Sequence, residues 1–161
     1  IADPYVKFWF RFLANNPTLI MTRQEALSEW EATVEPCFAD FAAESFEQVC
    51  RQYLTRLRFS GKLPFSVTTL GRWWRNGTEI DLVGADHERR HCVVAECKYR
   101  NQKVGIKVLR SLQAKCEQLP VAEDAVFHYW IFSRMGFEDV LLDMATRDPY
   151  LHLVGMDQLL G

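Results

Sequence analysis

Glu79-Ile80-Asp81-Leu82-Val83 and, beyond a polar loop, Val93-Val94-Ala95-Glu96-Cys97-Lys98 are the segments on which the fold turns. Their β-branched and apolar content, bounded by Asn76-Gly77 and by Ala85–Arg90, predicts two consecutive strands, Glu79–Gly84 and His91–Lys98. Side chains two apart in a strand share a face at about 6.5–7 Å. Glu96 and Lys98 therefore share one face, while Val93, Ala95 and Cys97 take the other. The loop is short enough for the strands to pair, which brings the Asp81 carboxylate to that of Glu96.

Two adjacent carboxylates repel unless a cation lies between them. A hard divalent ion such as Mg²⁺ takes such oxygen ligands, keeps several waters and binds substrate phosphate. The ion lowers the pKa of its bound water, and a nearby Lys can orient that water or offset developing negative charge. Asp81, Glu96 and Lys98 together are thus the expected core of a phosphodiester hydrolysis site. Glu-x-Lys alone is more often an ion pair on an edge strand, and Asp81 alone a turn acid. Here the charges follow Val93-Val94-Ala95, which reads as buried, and unpaired charge in such a setting is costly and tends to be functional.

Working outward, Ser66–Trp74 predicts a third strand before the other two, so that the three form a meander. Val104–Leu119 predicts a basic amphipathic helix, Val126–Ser133 a strand, Phe137–Thr146 a short helix and Tyr150–Val154 a last strand. Towards the N-terminus, Asp3-Pro4 opens a helix whose Tyr5, Phe8, Trp9 and Phe12 make one apolar stripe, expected to be core, before Asn15-Asn16-Pro17 stops it. Thr22 with Glu25 resembles a capping box for a helix through the thirties. Ala42–Leu57 predicts a further helix with Phe46, Cys50 and Tyr53 inward and Glu47 near its middle. The expected organisation is a single α/β domain: a helical extension over residues 1–40 and a mixed sheet flanked by helices over 41–161.

The chain has 161 residues, 48% apolar and 25% charged, enough for one well-buried core without disulfides. Its net charge of −2 gives no general attraction for polyanions. The basic residues are segregated, however: the windows 51–75 and 98–116 contain 12 of the 19 Lys and Arg and no acid. Arg72 and Arg75 in the first, and Arg100, Lys103 and Lys107 in the second, are the candidates for nucleic-acid contact; two solvated faces are the plainer alternative. Five cysteines without a C-x-x-C pair, set among apolar neighbours, fit reduced thiols of a cytoplasmic protein, and the four histidines have no zinc-ligand spacing. No run is long enough to span a membrane. Starting at Ile1, the sequence reads as a piece of a longer polypeptide.

The order helix with Glu, strand, strand with Asp, strand with Glu-x-Lys, basic helix, strand resembles the αβββαβ core of the PD-(D/E)XK, or restriction-endonuclease-like, nuclease superfamily. More narrowly, Phe46-Glu47, Gly71-Arg72-Trp73-Trp74, Glu79-Ile80-Asp81-Leu82-Val83, Glu96-Cys97-Lys98 and Phe132-Ser133-Arg134-Met135-Gly136-Phe137 are similar to the C-terminal domain, of unknown function, of archaeal-type P-loop ATPases. Asp3-Pro4-Tyr5 and Phe8-Trp9-Phe10-Arg11-Phe12 match that domain's opening. The resemblance implies Mg²⁺ (or Mn²⁺) held by Asp81 and Glu96, with the Cys97 main-chain carbonyl a third ligand and Lys98 placing the attacking water. It implies that Glu47 reaches in from its helix as a ligand or orienting group. Glu79 is either a ligand or a neighbour, Gln113 either faces the site or lies on the surface, and Trp73-Trp74 either stack on bases or pack in the core. It further implies nucleic acid, DNA in the first place, as substrate, and a P-loop ATPase domain earlier in the same polypeptide; no G-K-[ST] loop occurs here, so nucleotide hydrolysis is expected outside this segment. The rival expectation is a catalytically silent nucleic-acid-binding or protein-interaction module of that ATPase.

Overall fold

The computed structural model describes residues 3–16 and 23–160, in two compact units, Ile1–Ser45 and Phe46–Gly161. The sequence alone places the join at 40/41, inside one domain.

In the first unit, helix α1 (Pro4–Phe8) is capped by Asp3, whose carboxylate accepts the Tyr5 and Val6 N–H groups at 2.8 and 3.2 Å. The chain then widens into a π-helical turn, Trp9–Leu13. That widening changes the phase of the expected stripe. Phe8 and Phe12 pack on Phe41, with ring centroids 5.7 and 5.6 Å away, whereas Tyr5 and Trp9 remain exposed. Helix α2 (Arg23–Glu29) is followed by a second π-helical turn, Trp30–Val34, and then by α3 (Glu35–Phe59). Thr22 and Pro17, on which two sequence expectations rest, lie outside the described residues. The expected helix start at Ala42 is corrected to Glu35. Pro36 falls in the first turn, where its missing N–H costs no helix bond, and Ala39, Ala42 and Ala43 give the helix no reason to stop.

The second unit is built on one mixed five-stranded sheet: β1 (Thr69–Arg75), β2 (Thr78–Ala85), β3 (His91–Lys98), β4 (Val126–Ser133) and β5 (Leu151–Val154), in that spatial order. The first three strands are antiparallel, as the meander expectation has it, and the last three run parallel. Asn76 and Gly77, both at positive φ (49° and 78°), make the tight β1–β2 turn that matches strand twist. Parallel pairing requires crossovers, and α4 (Ile106–Cys116) and α5 (Asp139–Arg147) supply them. A short C-terminal helix α6 (Met156–Leu160), not anticipated from sequence, closes the chain.

Each sheet face buries a helical layer. Cys50 and Leu54 of α3 pack with Leu82, Ala95 and Phe132 on one side. On the other, Leu112 and Cys116 of α4 pack with Ile80 and Val94, and Leu141 of α5 packs with Ile131. Among the described residues no helix is long and apolar enough to cross a membrane.

One irregularity places the site. Gly71 lies opposite Val83, but Trp73 lies opposite Ile80, so β2 sets two residues, Asp81 and Leu82, against the single Arg72. This is a β-bulge, a device that re-aims side chains. Its effect is visible in the core: Ile80 and Leu82, which strict alternation would place together, pack on opposite faces of the sheet.

Candidate active site

The bulge frees Asp81 from the regular ladder. Pairing of β2 with β3 is registered from Leu82–Ala95 onward, and at the next step the Asp81 side chain takes over. Its Oδ2 accepts the Cys97 N–H at 2.7 Å. Burial is the main force on this carboxyl. It raises the Asp81 pKa from 3.8 to about 6; the Cys97 N–H opposes the rise, the Glu96 and Glu47 charges add to it, and Lys98 pulls the other way. Asp81, Glu96, Glu47 and Lys98 thus lie within electrostatic reach of one another.

Glu96 is only 6% exposed. It points, with Val94, to the α4 side of the sheet, and both its oxygens are engaged: Lys98 Nζ at 2.6 Å on Oε1 and Lys115 Nζ at 2.9 Å on Oε2. A carboxylate buried in this way needs compensating positive charge close by, since an unpaired charge there is expensive. Lys115 was not singled out from sequence. The signal was present: Val108, Ser111 and Lys115 share one stripe of α4 at helical spacing, and the first two line the cavity beside Glu96. Gln113, the candidate drawn from that helix, is exposed.

On the α3 side, Arg72 bridges Glu47 (2.6 Å) and Glu79 (2.8 Å). Burial lowers the Arg72 pKa, but Glu47, Glu79 and Asp81 outweigh it and leave the guanidinium raised. Glu47 does approach from α3, and Glu79 is its neighbour through Arg72. The arginine proposed for nucleic-acid contact is therefore spent on carboxylates. Glu47 and Glu79 meet Arg72 on the α3 side and Glu96 meets Lys98 and Lys115 on the α4 side, while Asp81 feels the charges of Glu96, Glu47 and Lys98. Of the four acids, Asp81 alone has no ion pair among the described residues.

The Cys97 thiol, hydrogen-bonded to Cys50 and buried, is held well above its usual pKa, so it stays protonated and does not offer a thiolate. All five cysteines are free. Among the described residues, no three His, Cys, Asp or Glu side chains form a ready cage for a metal ion. Trp73 packs against the Ile80–Val94 cluster, whereas Trp74 is 69% exposed. Arg75, Arg100, Lys103 and Lys107 are exposed, and the last three line a cavity of about 390 Å³ that Glu96 and Lys98 also wall.

Fold and site define a mixed α/β protein with charged residues gathered about a bulge of β2 against β1. Comparison with known proteins gives it a family: residues 9–131 match the profile of DUF234, archaeal and bacterial proteins of unknown function, and the chain belongs to that family. "Uncharacterized protein MJECL04" of Methanocaldococcus jannaschii is 29% identical over 103 residues, 64% of this chain and 23% of that protein. The chain thus spans less than a quarter of that relative's length. A crystal structure of a protein of unknown function, AF1548, aligns over 66% of this chain and 58% of its own at 22% identity, with a TM-score of 0.41.

Proposed function

We propose that this chain is a nuclease domain of the PD-(D/E)XK type, hydrolysing phosphodiester bonds of nucleic acid, DNA in the first place, with Mg²⁺ or Mn²⁺ held by Asp81 and Glu96. The observation that carries the reading is Asp81: a half-buried carboxyl aimed by a β-bulge, near two other carboxylates and without a basic partner of its own. Such a group calls for a cation. The donor set fits a hard divalent ion, because Mg²⁺ is commonly held by one or two carboxylates with waters and substrate phosphate filling the remaining positions. A cage of three side chains is not required. The Cys97 carbonyl is the further oxygen donor, its thiol being protonated.

When bound, the ion supplies a water of lowered pKa and Lewis-acid stabilisation of the phosphoryl oxygens. The chain's own residues do the rest. The Cys97 N–H fixes the orientation of the Asp81 carboxylate. For Glu96 to act as a ligand, an ammonium group must give way. Lys98, the more exposed of the two at 31% against 25%, is the one that turns to the attacking water and the phosphate, while Lys115 keeps Glu96 in place. Arg72 holds Glu47 and Glu79 beside the site, where Glu47 would serve as a further ligand or orienting group for a bound ion. Arg75, Arg100, Lys103 and Lys107 face the nucleic acid.

The αβββαβ order of elements supports the same placement, and by resemblance the domain follows a P-loop ATPase domain in a longer cytoplasmic protein. Incubation of labelled DNA and RNA with Mg²⁺ or Mn²⁺, wild type beside Asp81→Ala, tests the proposal. Cleavage lost in the variant supports it; an equally inert wild type sinks it. The second reading, a silent binding or docking module, draws on the exposed aromatics Tyr5, Phe10 and Trp74, which fit protein or base contacts better than catalysis.

A further inference from the structure

Beside the charged cluster lies the cavity of about 390 Å³ walled by Glu96 and Lys98 and, further out, by Arg100, Lys103, Lys107 and Glu138. Its size is that of small-ligand cavities, about 300–1,000 Å³. Arg100, Lys103 and Lys107 are exposed, and none makes an ion pair or side-chain hydrogen bond among the described residues. They form a mouth of unspent positive charge. Glu138 sits on another part of the wall, its carboxylate so close over Gly105 that a Cβ there would collide with it.

We infer that the cavity admits one nucleotide of a single strand, so that the substrate class is single-stranded nucleic acid or a strand end freed from its duplex, not continuous duplex. The inference rests on the nuclease reading of the same site and adds the substrate form to it. Glu96 is 6% exposed and is one wall of the cavity, so a phosphodiester reaches it by entering. An intact duplex holds each phosphate at a fixed place on a stiff cylinder and can bring it only to the mouth of the cavity. A single strand rotates freely about its backbone and can present one phosphate to Lys98 while its neighbours lie along Arg100, Lys103 and Lys107. Such a charged groove following the backbone is how sequence-tolerant single-strand binding works. Glu138 repels phosphate and accepts hydrogen bonds from base amino or sugar hydroxyl groups, which turns the phosphate towards the basic side.

The test uses the whole chain and three labelled oligodeoxynucleotides of one sequence: a single strand, a blunt duplex, and a duplex with a single-stranded overhang. Binding is read by fluorescence anisotropy in EDTA, and cleavage is read with Mn²⁺. The single strand and the overhang should bind about tenfold or more tighter than the blunt duplex, and should be cut first. Lys103→Glu with Lys107→Glu, both at exposed positions, should weaken single-strand binding and reduce the salt slope by about 1.4, the value for two single-strand phosphate contacts at about 0.7 each. Blunt duplex bound and cut as well as single strand overturns the inference and leaves the nuclease reading standing. Preferential single-strand binding without cleavage of any probe keeps the inference about the cavity and removes the nuclease. No binding to any probe removes both.

Discussion

Replacing Asp81 by Asn should make the metal-free protein more stable at neutral pH. The Asn carbonyl can still accept the Cys97 N–H, now made at 2.7 Å, so the change removes the charge and little else. The folded-state pKa is about 6 against an ordinary 3.8, a gap worth about 3 kcal/mol at ~1.4 kcal/mol per pH unit. The sign follows from linkage. Between pH 4 and 6 the folded protein holds a proton that the unfolded chain has released, so stability falls as pH rises through that window. Below it the penalty is absent; above it the penalty is complete. Partial hydration of Asp81 and relaxation of its neighbours reduce the gain, and about 1–2 kcal/mol is expected at pH 7. For a protein of this size that is about 2–4 °C in Tm per kcal/mol. Urea unfolding in EDTA across that pH range gives the comparison: wild type should lose stability towards neutral pH, and the variant should lose less. An Asn variant that is less stable than wild type at pH 7, with the same pH slope, would show that the carboxylate is already compensated and that no cation is called for.

Three further outcomes follow from the same geometry. Lys98→Ala should lower cleavage while leaving Mn²⁺ affinity intact or higher, because it removes a positive charge that competes at Glu96; cleavage at the wild-type rate would make Lys98 structural. Lys115→Ala, read by urea unfolding, should destabilise the metal-free protein by about 1–3 kcal/mol by leaving one Glu96 oxygen unpartnered, and excess Mn²⁺ should restore part of that loss. An unchanged unfolding midpoint would mean that water replaces the ammonium at no cost. Leu112→Ala, which empties the fully buried contact of α4 with Ile80 and Val94, should cost about 2–5 kcal/mol in urea titration; a loss below 1 kcal/mol would place α4 outside the core.

The strands β2, β3 and β4 were legible because each is a run of β-branched or aromatic residues between clear turns, and β3 and β4 match their expected limits residue for residue. The pairing that brings Asp81 and Glu96 to adjacent strands followed from loop length. The bulge did not: side-chain alternation presumes one residue per step, and nothing in Ile80-Asp81-Leu82 signals an extra one. Reading α3 as starting at Ala42 had a similar cause, since the amphipathic pattern is strong only where the helix meets the sheet, from Phe46 onward. Arg72 and Lys115 were hidden for a different reason. Charge along the sequence shows where basic residues are dense, but whether each faces solvent or a carboxylate depends on which strand or helix lies opposite. Two of the residues counted in those basic windows are consumed by Glu96, and a third by Glu47 and Glu79.

The central claim is that Asp81 and Glu96 hold one divalent cation, and calorimetric titration of Mn²⁺ into wild type, Asp81→Ala and Glu96→Gln tests it most directly. One saturable site in the wild type, lost or weakened about tenfold or more in both variants, is the result the account predicts. Heat that is indistinguishable among the three proteins, or no binding to the wild type at all, would contradict it.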